Sequence, residues 1–170
     1  MPSVAEFVLQ AKENIEAPHV RRVLFVCTGN TCRSPMAAAL FNHMCSLRPS
    51  ADKQEMVAAS AGLHAPEGAP ISSNAAAVLE DAGVERAHYA AHRARNVTED
   101  MIVEADEVIA LTGGHAMELM MRYPAYAAKI HTLSFDIADP YGGDKDAYQA
   151  CLDMLSYAIT VRYFSSEGKA

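Results

Sequence analysis

The chain has 170 residues, of which 51% are hydrophobic and 21% charged, with a net charge of −7 and four cysteines. That length suits one domain burying about 70% of its unfolded surface, and no apolar run approaches the roughly 20 residues of a membrane span. The acidic balance argues against a nucleic-acid partner, and Cys27, Cys32, Cys45 and Cys151 lack both the paired short spacings of a zinc site and the pattern of a secreted disulfide framework.

In chain order, Ser3 with Glu6 forms a capping box, and Val4, Phe7, Val8, Ala11 and Ile15 recur at helical spacing until Pro18 stops them. This predicts an amphipathic helix over residues 3–16, within an N-terminal extension of residues 1–20. The N-terminus lacks a signal-peptide pattern, so a cytoplasmic location is expected. Val23 to Val26 reads as a fully buried strand, followed by Cys27 and a short loop of small and polar residues. Ser34 stands at a helix cap position and Pro35 opens a helix from Met36 to about Leu47.

A loop from Arg48-Pro49 to Glu55 leads to a second strand, Met56 to Ser60, which ends in Ser60-Ala61-Gly62. Past Pro66, Gly68 and Pro70, Ser72 or Ser73 caps a helix through Asp81 that Gly83 stops. Thr98 starts a short helix ending near Ala105, and Glu107 to Leu111 is a third strand. Gly113-Gly114 leads into a helix ended by Pro124, and Ile130 to Leu133 is a fourth strand. After the loop Asp136 to Gly143, Asp144 caps a last helix with Tyr148, Cys151, Leu152, Leu155 and Ile159 on one apolar face. Strands alternating with helices predict an α/β fold: a four-stranded parallel sheet in three layers, with helices on both faces. Ligands in such sheets bind beyond the carboxyl ends of the strands, where Cys27 lies.

A helix N-terminus preceded by a tight loop gathers unpaired N–H donors and a partial positive charge, which makes an anion site. A thiol facing such donors ionises readily, and an arginine fork matches two phosphate oxygens. Cys27 and Arg33 form C-x5-R, a nucleophile and a clamp at opposite ends of a phosphate-sized cradle made of Thr28, Gly29, Asn30, Thr31, Cys32, Arg33 and Ser34. Alone, Cys27 reads as core packing; the full strand, C-x5-R-S-P and helix combination does not. No lysine stands where an ATP-binding Gly-rich loop needs one.

VCTGNTCRSPMAAAL resembles the active-site signature of the low-molecular-weight protein phosphatases, V-C-x-G-N-x-C-R-S-P, and the resemblance runs from about Arg21 to the final helix. It implies that family's fold, with residues 21–170 as a phosphatase domain that needs no metal and no cofactor. It implies a phosphorylated protein as substrate, without nucleic acid or membrane, and leaves the oligomeric state open. DPYGG resembles the family's acid loop: Asp139 matches the general acid, with Pro140 fixing its backbone and Gly142-Gly143 permitting a tight turn close to a ligand. Tyr141 matches an aromatic lining the substrate cleft, but Gly142 replaces a second aromatic common in the family. Asn30 suits a left-handed loop conformation, Ser34 can donate to the thiolate, and Ser60 and His92 lie where the family keeps its loop-bracing residues. Cys32 is either a packing residue with its N–H aimed at phosphate or a trap for oxidised Cys27; the resemblance supports both.

The tyrosine-specific branch carries an aliphatic residue two before the clamp arginine. Here it is Thr31, as in bacterial members resembling protein arginine phosphatases, which share CTGNTCRS, the acid loop and a stretch like Leu111-Thr112. Phosphoarginine is therefore favoured over phosphotyrosine. Arsenate reductases share the loop and fold, but the stretch Gly83 to Arg95 contains no relay cysteine. A phosphate-binding module without catalysis would not need both Cys27 and Asp139.

Overall fold

The computed structural model describes Ser3, residues 19–49 and residues 54–165. Apart from Ser3, the helix expected over residues 3–16 lies outside the described residues. Strand β1 (Arg21–Cys27) is followed by helix α1 (Arg33–Ser46), β2 (Met56–Gly62) and α2 (Ser73–Asp81). Then come α3 (Glu99–Glu104), β3 (Glu107–Ala110), α4 (Gly113–Arg122), β4 (Ile130–Thr132) and α5 (Lys145–Ile159).

The apolar run Val23 to Val26 is buried because β1 has a neighbour on each edge and helices on each face. All pairings are parallel in the order β2-β1-β3-β4, with Cys27 beside Gly62 and Val26 beside Ala110. Strand periodicity sends alternate side chains to opposite faces. Val23 and Phe25 join Phe41, Leu79, Ile109 and Leu155 under α1, α2 and α5. Leu24 and Val26 join Ile102, Val108 and Leu119 under α3 and α4. These are the three layers that the alternation of elements predicts. Among the described residues no helix is long and apolar enough to cross a membrane.

At the amino end of β3, Glu107 is buried and its carboxylate is closed off by charge. Arg21 Nη2 donates at 2.8 Å, Arg162 Nε at 2.9 Å and Tyr163 Oη at 3.0 Å. Arg162 and Tyr163 come from a π-helical turn, Thr160–Phe164, that extends α5. This pairing ties the turn after α5 to the amino edge of the sheet.

One helix boundary departs from expectation. Helix α1 begins at Arg33, two residues earlier than Pro35, and Cys32 rather than Ser34 occupies the cap position, with no side-chain cap. The Ser-Pro pair resembles a start signal locally, but the preceding loop already winds into the helix. Ser34 is thereby released from capping, and no side chain fills the helix's opening turn.

Candidate active site

In the order β2-β1-β3-β4 the chain leaves β1 to one side and returns on the other, which opens a crevice beyond the carboxyl ends of β1 and β3. Cys27 ends β1 at that crevice, and its Sγ lies 3.0 Å from Ser34 Oγ. The loop between them turns on Asn30, which is fully buried with φ of 54°. Its side-chain amide donates to Ser34 Oγ (2.8 Å) and Ser60 Oγ (3.0 Å). Its Oδ1 accepts from the Arg95 backbone N–H (3.0 Å), and its carbonyl accepts from His92 Nε2 (2.7 Å). Four bonds from three other segments thus hold one left-handed residue. Burial, which outweighs the bond to Asn30, holds His92 below the usual histidine range, so a neutral imidazole makes that donation. Gly62 is required for the loop's path: a Cβ there would sit 2.6 Å from the Thr28 carbonyl oxygen.

Arg33 reaches under the loop with its side chain 7% exposed. Its Nη1 donates to the Ile137 carbonyl at 3.1 Å, and Nη2 lies 3.2 Å from Asp139 Oδ2. Asp139 is half-exposed, and its Oδ1 accepts from the Tyr141 N–H at 3.1 Å. Gly142, at φ of 79°, lets the acid loop close with Gly143 N–H donating to the Pro140 carbonyl at 2.9 Å. The close approach expected at Gly143 is internal: a Cβ there would meet Pro140 and Ala147. The structure therefore brings Cys27, Arg33 and Asp139 to one crevice from β1, α1 and a loop more than a hundred residues away.

Thr31 is half-buried on the cradle's rim, and its carbonyl accepts from the Ser72 N–H at 2.9 Å. Gly29 lies beside it, its Cβ position 3.7 Å from Thr31 Oγ1. Cys32 is a buried free thiol 3.2 Å from Tyr148 Oη. Tyr141 is 80% exposed, so its ring stands out from the crevice rather than forming the wall of a closed slot. Cys151 lies in the core, where burial pushes its thiol up to about 12.

Three contacts have no local signature in the sequence. Arg95 braces Asn30 and also donates from Nε to the Ser60 carbonyl (3.1 Å); its one hint is its place three residues after His92. Asp136 Oδ1 accepts from the Gly113 N–H at 2.8 Å, which ties the acid loop to the start of α4. His115, on the first turn of α4, is buried, and its Nε2 lies 2.8 Å from Thr28 Oγ1. No apolar or motif pattern marks that histidine.

The chain is similar to known proteins along most of its length. The sequence pattern described as low molecular weight phosphotyrosine protein phosphatase matches residues 22–162. A protein-arginine-phosphatase of Geobacillus stearothermophilus is 41% identical over 145 residues, covering 81% of this chain and 90% of that relative. A low molecular weight protein-tyrosine-phosphatase of Streptomyces coelicolor is 36% identical, covering 82% of this chain and 89% of its own. Among solved structures, the Geobacillus arginine phosphatase superposes with a TM-score of 0.72 at 40% identity, over 82% of this chain and 88% of that one. A low molecular weight protein tyrosine phosphatase from T. tengcongensis superposes with a TM-score of 0.73 at 42% identity, over 82% and 95%. A pattern running unbroken from the first sheet strand past the last helix, with the cradle, clamp and acid loop all inside it, makes this chain a member of the low molecular weight phosphotyrosine protein phosphatase family.

Proposed function

We propose that the protein removes phosphate from phosphoarginine residues of proteins through a phosphocysteine intermediate. The observation that carries this is the convergence of Cys27 Sγ, the Arg33 fork and the Asp139 carboxylate on one crevice. On binding, the phosphate takes over the Arg33 fork from Asp139, which frees the carboxyl group to face the leaving atom. The Cys27 thiolate attacks phosphorus in line; the S–P bond forms, the P–N bond breaks, and Asp139 delivers a proton to the departing guanidine nitrogen. Arg33 and the amides of Thr28 to Ser34 hold the equatorial oxygens as charge builds on them. Water then attacks phosphorus, gives its proton to Asp139, and the S–P bond breaks. Ser34 suits the sulfur's departure: Asn30 donates to its oxygen, and its own hydroxyl hydrogen has two acceptors in reach, the Ala61 carbonyl at 3.3 Å and Sγ at 3.0 Å, so it can turn from the carbonyl to the sulfur.

The leaving group follows from the rim. Thr31 places a hydroxyl near the mouth where an aliphatic residue would grip an aromatic ring, and Gly142 supplies no second aromatic beside the exposed Tyr141. The Geobacillus relative named as an arginine phosphatase supports the same choice. Phosphotyrosine is the competing substrate, supported by the equally similar T. tengcongensis structure that carries the tyrosine name. Turnover of phosphoarginine and phosphotyrosine peptides by wild type and Thr31→Ile separates the two. We expect wild type to prefer phosphoarginine and Thr31→Ile to shift toward phosphotyrosine. A large phosphotyrosine preference in wild type overturns the arginine assignment.

A further inference from the structure

Thr28 follows the nucleophile directly, and its hydroxyl is tied to His115 Nε2 at 2.8 Å. His115 N–H in turn donates to Thr112 Oγ1 (3.1 Å), and the N–H of Gly113 is held by Asp136 of the acid loop. The first turn of α4 therefore joins the backbone after Cys27 to the base of the loop that carries Asp139. His115 is buried, yet its Nδ1 has no hydrogen-bond partner. A buried polar atom left unpaired destabilises the fold, so as a core filler this histidine is a poor choice beside leucine. What a leucine cannot supply is the Nε2 contact.

We propose that His115 is a positioning residue: its Nε2 holds the Thr28 hydroxyl and so sets the backbone next to Cys27 for the in-line attack, a role that rests on the phosphatase mechanism above. The charge of the site is consistent with an imidazole that stays neutral. Burial first, and the Arg33 guanidinium second, hold His115 below the usual histidine range, against the opposing pull of Glu118, Asp139 and Asp136. A neutral ring keeps the bond to Thr28 without adding a second cation that would compete with Arg33 for phosphate.

The phosphate is gripped mainly by Arg33 and several amides, so shifting one amide leaves ground-state binding largely intact. It acts on the alignment of sulfur and phosphorus, where small misplacements are costly. The experiment measures kcat, KM and melting temperature with p-nitrophenyl phosphate for wild type, His115→Leu, His115→Gln, Thr28→Val and the Thr28→Val/His115→Leu double variant. We expect His115→Leu and Thr28→Val each to lower kcat about tenfold with KM within about twofold, and melting of His115→Leu to be unchanged or raised. His115→Gln, whose amide reaches the same hydroxyl, should stay within about threefold of wild type. The double variant should be no slower than the slower single one, because both remove one contact. Kcat within about twofold of wild type in Thr28→Val, or single effects that multiply in the double variant, would overturn the assignment while leaving the mechanism standing. Thr28 is exposed, so that variant folds even should His115→Leu fail to. A wild type inactive on any phosphoester would overturn mechanism and assignment together.

Discussion

Two buried charges sit at opposite ends of the sheet, and their surroundings differ in one respect. Glu107, at the amino end of β3, is enclosed by Arg21, Arg162 and Tyr163. Arg33, beyond the carboxyl end of β1, has the Ile137 carbonyl on one nitrogen and, on the other, an aspartate whose side chain is 52% exposed. A charge closed on every side has no spare donor or acceptor and serves the fold. A buried fork covered by one carboxylate on an exposed loop can exchange that partner for a phosphate, since guanidinium binds both with the same two-pronged geometry.

The largest test of this contrast is Asp139→Asn. The amide oxygen still offers Arg33 an acceptor, so the fold should melt at the wild-type temperature, while kcat falls about 10²–10⁴-fold through loss of the proton donor. The drop should shrink for substrates whose leaving group needs no proton, p-nitrophenyl phosphate against a phosphopeptide being the comparison to make. A variant that melts markedly lower would mean that the Arg33–Asp139 pair is structural like its counterpart, and the contrast would break.

Glu107→Gln is the reciprocal test. Arg21 and Arg162, whose side chains are 39% and 33% exposed, would then face a neutral amide, and water relieves part of the roughly 3–5 kcal/mol that breaking a fully buried pair costs. Urea midpoints should fall accordingly, while kcat per folded molecule stays at the wild-type value because no part of that network reaches the crevice. Activity lost with the fold intact would show that the two ends communicate.

The two ends were also unequally legible from sequence. The cradle is contiguous: strand, Cys27, small residues, Arg33 and helix follow one another, so their order alone implies an anion site. Asp139 could be paired with it because DPYGG resembles the family's acid loop; without that resemblance, Asp-Pro in a loop reads as a turn former. The four strands and the helices between them were readable from apolar runs and stop signals, with boundaries that moved by one or two residues. Ser34 misled only as a cap, because Ser-Pro is a local start signal; its hydroxyl lies at Cys27, seven residues back, where a bond to the thiolate is expected. Arg95 and His115 reach the loop across 65 and 87 residues; Arg95 has only its place three residues after His92 to mark it, and His115 has no local mark. Glu107 reads as the polar edge of a strand because Arg162 and Tyr163, which allow its burial, stand 55 and 56 residues away.

The smallest expected effect is a difference in pH window, and it distinguishes the ends without touching the mechanism. At the site end, burial lowers His92 from 6.5, and His115 moves the same way. The unfolded chain therefore takes up these protons first, so the stabilisation is complete above about 6.5 and shrinks as pH falls from there toward the folded values. At the far end, burial alone would raise Glu107, but the bonds and charges of Arg162, Tyr163 and Arg21 together outweigh it and bring it below 4.5. Its stabilisation is complete above the unfolded value and is lost only as pH falls through the lower folded one. Urea midpoints measured from pH 8 to pH 3 should thus decline in two stages. His92→Gln should shrink the upper stage to the share that His115 keeps and leave the lower one, and Glu107→Gln should shrink the lower stage and leave the upper one. A Glu107→Gln protein that loses the upper stage instead would place the acid-sensitive contact at the wrong end of the sheet, and with it the division between a charge kept for the fold and a charge kept for phosphate.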